Sequence, residues 1–295
     1  MASICVTACI NSGRRRLLGA MAASAAALAM RPSGALQAGP LLKSIPSTGE
    51  QIPCVGLGTW ITFNVGNDTV LRDECVEVMR AFFAVGGRLI DSSPMYGSAQ
   101  EVVGYGLAKL ERPPVLFSAD KVWTSGADEG RRQVELSRRL WGIPRFDLLQ
   151  VHNLLSWEDH LATLHAMKEA GNLRYIGITT SEGRRHKEFE RIMATQALDF
   201  IQVTYNIVDR EVEQRILPLA RERGIAVIVN RPFQQGTLIR RLEGKPLPEW
   251  AHEAGARSWS QFILKFIVCR IPPCGPGWRL TSRRFDVRLA RLSAV

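Results

Sequence analysis

The sequence predicts an α/β fold, a (β/α)8 barrel of parallel strands. Three observations carry this. From about residue 50, seven short apolar runs alternate in single file with amphipathic stretches. The runs are continuously apolar, as strands covered on both faces must be. No Gly-x-Gly-x-x-Gly follows the first run, so an open, doubly wound nucleotide-binding sheet is not supported. A chain of 295 residues with 46% apolar content can fill one barrel core.

Taken in order, Ser44 to Pro53 reads as a hairpin able to plug the barrel floor, and Val55-Gly56-Leu57-Gly58 as the first barrel strand. Helical spacing from Leu71 to Val85 stops at Gly86-Gly87. Leu89-Ile90-Asp91 is the second strand, with a helix over Gln100 to Leu110. Val115 to Ala119 is the third, running up to Lys121, with a helix over Gly130 to Leu140. Phe146 to Val151 is the fourth, ending at His152-Asn153; its helix, Trp157 to Ala170, ends at Gly171. Arg174 to Ile178 is the fifth, with a helix to Met193. Phe200 to Val203 is the sixth, with a helix from Val212 to Arg223 ended by Gly224. Ala226 to Val229 is the seventh, ending at Asn230-Arg231-Pro232-Phe233. A further helix covers Ser258 to Val268.

The formal net charge of +10 sits at the two ends. Residues 1–43 carry Arg14, Arg15, Arg16, Arg31 and Lys43 and no acid. Residues 270–295 carry six arginines against Asp286. The body is about neutral, which argues against nucleic-acid binding. Of six cysteines only Cys54 and Cys75 fall in the body, so neither a disulfide scaffold nor a metal site is indicated. The leader reads as an export signal. Arg14-Arg15-Arg16 precede an Ala-rich apolar run, Leu17 to Met30, too short to span a membrane and suited to a signal-peptide core. Paired arginines before such a run are similar to a twin-arginine signal, which implies export machinery as a partner and a periplasmic location. A cytoplasmic chain with a basic, unstructured end is the alternative. The expected division is leader and linker 1–43, barrel 44–268 and an aberrant basic tail 269–295.

In a barrel, catalytic residues stand at the C-terminal ends of strands. The polar residues there are Asp91, Tyr96 in the following loop, Lys121 and His152. A carboxylate, a phenol, an amine and an imidazole at one rim can move a proton. Taken singly, Asp91 also reads as a helix cap, Lys121 as a solvated strand end and His152 as a packed imidazole.

Gly56-Leu57-Gly58-Thr59-Trp60, Asp91-Ser92-Ser93-Pro94-Met95-Tyr96-Gly97, Lys121-Val122-Trp123 and Gln150-Val151-His152-Asn153 together resemble the aldo/keto reductases, over about Ile45 to Val268. The resemblance implies NADPH-dependent reduction of an aldehyde or ketone by a monomer. Hydride comes from the nicotinamide, and Tyr96 supplies the proton as general acid. Lys121 lowers the phenol's pKa, Asp91 holds Lys121 charged and oriented, and His152 aligns the carbonyl oxygen. Trp60, Trp123 and Asn153 border the substrate. Thr179, Thr180 and Gln202 fall where the family holds the carboxamide. Asn230 stands where the family often stacks an aromatic ring, and Arg231 and Gln235 are candidates for the pyrophosphate. A catalytically silent barrel that senses nucleotide or binds a partner is the competing function.

The resemblance breaks after Val268. A strand and a phosphate-gripping loop should follow, but residues 269–278 read Cys-Arg-Ile-Pro-Pro-Cys-Gly-Pro-Gly-Trp. Codons for Leu-Ser-His-Pro, frequent in relatives, give Cys-Arg-Ile-Pro when read one base later, so a reading-frame change is expected here. The barrel is then incomplete, lacking its eighth strand and final helix, with its first and seventh strands unpaired. Low stability and weak NADPH binding are expected, with Thr281-Ser282-Arg283 a faint echo of the phosphate site.

Overall fold

The computed structural model describes residues 4–8, 39–111 and 115–271. The arginines at 14–16, the apolar run after them, and Thr281-Ser282-Arg283 with the rest of the tail beyond Ile271 lie outside these. The chain builds a barrel of parallel strands wrapped by helices, as its repeat pattern requires. β1 is Ile4–Ala8, and β2 (Leu42–Ser44) and β3 (Gln51–Pro53) form an antiparallel hairpin. The seven repeat strands are β4 (Val55–Gly58), β5 (Leu89–Asp91), β6 (Phe117–Val122), β7 (Phe146–His152), β8 (Leu173–Thr179), β9 (Phe200–Thr204) and β10 (Ala226–Asn230). They neighbour one another in sequence order.

The repeats supply seven strands, so the barrel they build is incomplete, as expected. The expectation of bare edges on β4 and β10 is not met. The backbone of β1 lies parallel between them, with Val6 opposite both Val229 and Val55. The leader's first residues thus occupy the eighth place. Apolar periodicity alone does not reveal this, because the pairing depends on partners about fifty and more than two hundred residues away.

The helices follow the apolar spacing. α1 (Thr69–Ala84) starts at Asp68, whose carboxylate accepts from the backbone N–H groups of Val70 and Leu71 at 2.9 and 3.1 Å. α2 (Ala99–Lys109), α3 (Ala127–Trp141), α4 (Trp157–Glu169) and α5 (His186–Thr195) cover the following strands. The helix expected over Val212 to Arg223 divides into a 3-10 turn, Glu211–Glu213, and α6 (Ile216–Arg223). Gly224, with φ 64°, ends α6 in the left-handed conformation that only glycine adopts freely. Two short helices, α7 (Thr237–Leu242) and α8 (Glu249–Glu253), precede α9 (Trp259–Arg270), which Ser258 caps.

Alternation along the strands sends every second side chain inward. At the lower end these are Leu89, Phe117, Leu148, Tyr175, Phe200 and Ile228, closed from below by Ile45 and Ile52 of the hairpin. The plug forms as expected, but its first strand begins at Leu42. Lys43, counted with the leader, is buried, and its Nζ donates to the carbonyls of Val268 at 2.9 Å and Ile271 at 2.7 Å. Val268 lies in the last turn of α9 and Ile271 just past its end, where helix carbonyls are open to donors from outside the helix.

Candidate active site

The strand registers bring the predicted residues to one level. Gly58 lies opposite Asp91, Lys121 opposite Gln150, His152 opposite Thr179, and Thr179 opposite Gln202. β6 runs through Val122, one residue past its expected end near Lys121, with the side chains of Asp120 and Lys121 both buried and hydrogen-bonded. Lys121 points inward and is fully buried. Its Nζ donates to Asp91 Oδ2 at 2.7 Å and to the Ser92 carbonyl at 2.7 Å. Asp91 also lies 3.4 Å from Gln150 Nε2. Burial opposes the charge on Lys121, but Asp91, with Tyr96 and Asp120, outweighs it and holds the ammonium above its usual range.

Tyr96 is carried over the rim by a turn that Asn64 braces, accepting from the Ser98 backbone N–H at 3.1 Å. Gly97 has φ 61°, and an added Cβ would collide with the Asn64 side chain. The Tyr96 ring centre is 5.0 Å from Lys121 Nζ and 5.8 Å from the His152 ring, which meets it edge-on. The expected lowering of the phenol's pKa is reversed in direction. Burial raises it, and Asp91 adds to that; Lys121 pulls it down by less. Without a charged ligand beside it, the phenol keeps its proton.

His152 is held below its usual range, at about 3, by burial and then by Lys121. It is therefore neutral at any ordinary pH. Its Nδ1 is 2.8 Å from Ser93 Oγ. Its other nitrogen faces a cavity of about 310 Å3 that Trp60, Asp91, Tyr96 and Asn153 also line.

Of the predicted cofactor residues, Thr179, Gln202, Asn230, Arg231 and Gln235 line the same cavity. The Thr179 hydroxyl donates to Gln202 Oε1 at 3.1 Å, which leaves Gln202 Nε2 buried without a partner. Such an orphaned donor costs about 1–3 kcal/mol unless a ligand accepts from it. Asn230 ties strand ends together, accepting from Thr204 Oγ1 at 2.6 Å and donating to the Thr180 carbonyl at 3.0 Å. Arg231 pairs with Glu182 and lies 5.5 Å over the Trp60 ring.

Two expectations fail on geometry. Thr180 lies just past the end of β8 and does not line the cavity; its hydroxyl turns back to the Arg184 carbonyl at 2.7 Å. Trp123 is 39% exposed and also lies off the cavity, because β6 ends at Val122 and Gln133 captures the backbone of residue 123. Sequence reading missed Met95, Thr62 and Phe233 as cavity residues. Met95 stood inside a quoted motif, and its place one before Tyr96 was the available signal. Non-glycine residues with positive φ gather in these loops, at Ile61, Asn153, Arg231 and Gln235. For β-branched Ile61 the conformation is strained, as is usual where a site over-determines its backbone.

The chain matches known proteins in sequence and in fold. The sequence model of the aldo/keto reductase family matches residues 54–267. An NADH-specific methylglyoxal reductase of Escherichia coli is 28% identical, covering 85% of this chain and 84% of its own. An aldo-keto reductase of Bacillus subtilis is 31% identical over 71% of this chain and 66% of its own. A solved thermostable aldo-keto reductase bound to the inhibitor epalrestat aligns with TM-score 0.61 at 27% identity, covering 77% of this chain and 83% of its own. An aldo/keto reductase of Klebsiella pneumoniae, solved with NADP and acetate, aligns with TM-score 0.59 at 23% identity, covering 74% and 76%.

Proposed function

The chain belongs to the aldo/keto reductase family of oxidoreductases, and from that premise we propose that it reduces an aldehyde or ketone to an alcohol with Tyr96 as the proton donor. The observation that carries this reading is the set Asp91–Lys121–Tyr96–His152 around one cavity. A reduced nicotinamide would supply the hydride, which no side chain can. The orphaned Gln202 Nε2 beside Thr179 fits a carboxamide oxygen, and Arg231 and Gln235 fit a pyrophosphate. We take NADPH as the donor. The E. coli relative's NADH specificity makes NADH the comparison to run.

The side chains divide the work. Trp60 borders the substrate, and Asn153 lies beside it. His152 is neutral and directs a ring nitrogen at the place a carbonyl oxygen would occupy. Tyr96 holds its proton until negative charge develops on that oxygen, then gives it up. Lys121 is kept charged by Asp91 and stabilises the phenolate left behind. A catalytically silent barrel has no need of an intact proton path, and the feature on its side is the departure from the family's phosphate-gripping loop after Val268.

The test is turnover of methylglyoxal, chosen because a relative reduces it, with NADPH and with NADH. Tyr96→Phe should lower kcat by about 10²- to 10⁴-fold with cofactor affinity unchanged. Turnover that survives in Tyr96→Phe would remove the phenol from the reaction.

A further inference from the structure

We propose that Ser93 is a positioning residue: its hydroxyl donates to Nδ1 of His152 and so fixes the neutral imidazole as the Nε2–H tautomer, with that N–H aimed at the substrate oxygen. The proposal deepens the reductase reading and rests on it for its consequence in turnover.

The argument is one of hydrogen-bond accounting. Ser93 is fully buried, so its hydroxyl proton needs an acceptor within the protein. Its oxygen already accepts from the Met95 backbone N–H at 3.2 Å. Its remaining neighbour within hydrogen-bond distance, among the described residues, is His152 Nδ1 at 2.8 Å. If Nδ1 carried the imidazole proton, Ser93 Oγ would accept twice and its own O–H would be buried with nothing to donate to. That arrangement costs the full desolvation of a hydroxyl. If Nδ1 is bare, both groups are satisfied, and the single imidazole proton sits on Nε2, the nitrogen that faces the cavity.

Neighbouring residues close off the alternatives. Ser92 cannot serve instead, because successive side chains diverge: its Oγ meets Thr59 Oγ1 at 2.9 Å on the opposite side. A doubly protonated ring is excluded by burial and by the Lys121 ammonium. The charged and titratable groups around the ring are Lys121, its partner Asp91, and Tyr96. The tautomer matters because an Nε2–H can donate to a carbonyl, whereas a bare Nε2 would repel its lone pairs and compete for the Tyr96 proton. Serine in this place, two after Asp91 and three before Tyr96, is thus part of the site without lining the cavity.

The test uses the full chain with its histidines labelled with 15N. Long-range proton–nitrogen spectra separate protonated from bare ring nitrogens, and the His152 signals are assigned by their loss in His152→Gln. The wild-type protein should show Nδ1 bare and Nε2 protonated. In Ser93→Ala the pattern should move toward Nδ1–H. In the same variant kcat/KM for methylglyoxal should fall about tenfold or more while NADPH affinity holds. Ser93→Thr keeps the hydroxyl and should retain both the spectrum and the turnover. A wild-type Nδ1–H ring, an imidazolium, or an Nε2–H pattern unchanged in Ser93→Ala would each overturn the proposal. The wild-type spectrum decides even if Ser93→Ala does not fold. It is also independent of turnover, so a protein that reduces no carbonyl would sink the reductase reading and leave the tautomer result to stand or fall alone.

Discussion

The two ends of the barrel treat their polar side chains in opposite ways. At the floor, Arg174 pairs with Glu50 and with Asp147 at 2.6 Å, and Asp147 accepts from the Ser118 backbone and hydroxyl at 2.7 and 3.0 Å. The Tyr175 hydroxyl donates to Glu50 at 2.7 Å, and burial with that neighbour pushes its pKa up to about 12. Those donors have acceptors within the protein. At the rim, by contrast, Gln202 Nε2 has none, and one nitrogen of His152 opens on the cavity. The floor is a finished piece of folding. The rim holds hydrogen-bonding capacity in reserve, at a cost in stability, and that reserve is what a ligand would use.

Substitutions can break this contrast, and the largest effect belongs to Lys121. Lys121→Met leaves Asp91 as a buried charge without its partner, so unfolding should become easier by about 3–5 kcal/mol and turnover should collapse. Thermal melting together with an activity assay reads both. A stable, active Lys121→Met protein would mean that the rim pair is structural ornament.

Asp120 comes next. It points outward from the same strand and accepts from Gln100 Nε2 at 2.7 Å and from the Lys121 backbone N–H at 2.8 Å. Burial pushes its carboxyl up to about 7 against those hydrogen bonds and the Lys121 charge. The folded state therefore binds the proton more tightly than the unfolded chain. Stability should fall as pH rises from about 4 to 7 and then level off, by at most about 1.4 kcal/mol per pH unit from this group. Asp120→Asn should remove that slope, so its stability relative to the wild type should improve with pH across this window. Parallel pH profiles of denaturant unfolding would show it; identical slopes would not fit.

Gln202→Leu should raise the NADPH dissociation constant about tenfold by deleting the orphaned amide donor, and should move the melting temperature little, because relief of that orphan offsets the acceptor lost to the buried Thr179 hydroxyl. Fluorescence titration measures the first quantity. The smallest effect should come from the floor. Arg174→Gln should cost about 1 kcal/mol or less, because the pairs are partly solvated, and should leave kcat and KM alone. A change in KM there would mean that the two ends communicate.

How much of this the sequence discloses depends on how local each cause is. Asp91, Lys121 and His152 end inward-facing strand positions, and Tyr96 lies in a short loop, so their convergence follows once a barrel is assumed. Thr180 and Trp123 were misread for one reason: each lies one residue past a strand end, where alternation stops predicting direction. β6 lies a residue or two further along than its apolar run suggests, because burial of Asp120 and Lys121 carries the strand through two charges. Ser93 lies within the motif that joins Asp91 to Tyr96, and its role does not show there. Its meaning lies in a partner fifty-nine positions away and in a proton count, neither of which leaves a periodic trace.

One small feature has reach beyond its size. The Lys43 ammonium grips the carbonyl ends of α9 from the hairpin at the other extreme of the repeat series. Start and finish of the wound body are clasped at a single nitrogen. A neutral side chain at this one position would take the shared donor from both carbonyls at once.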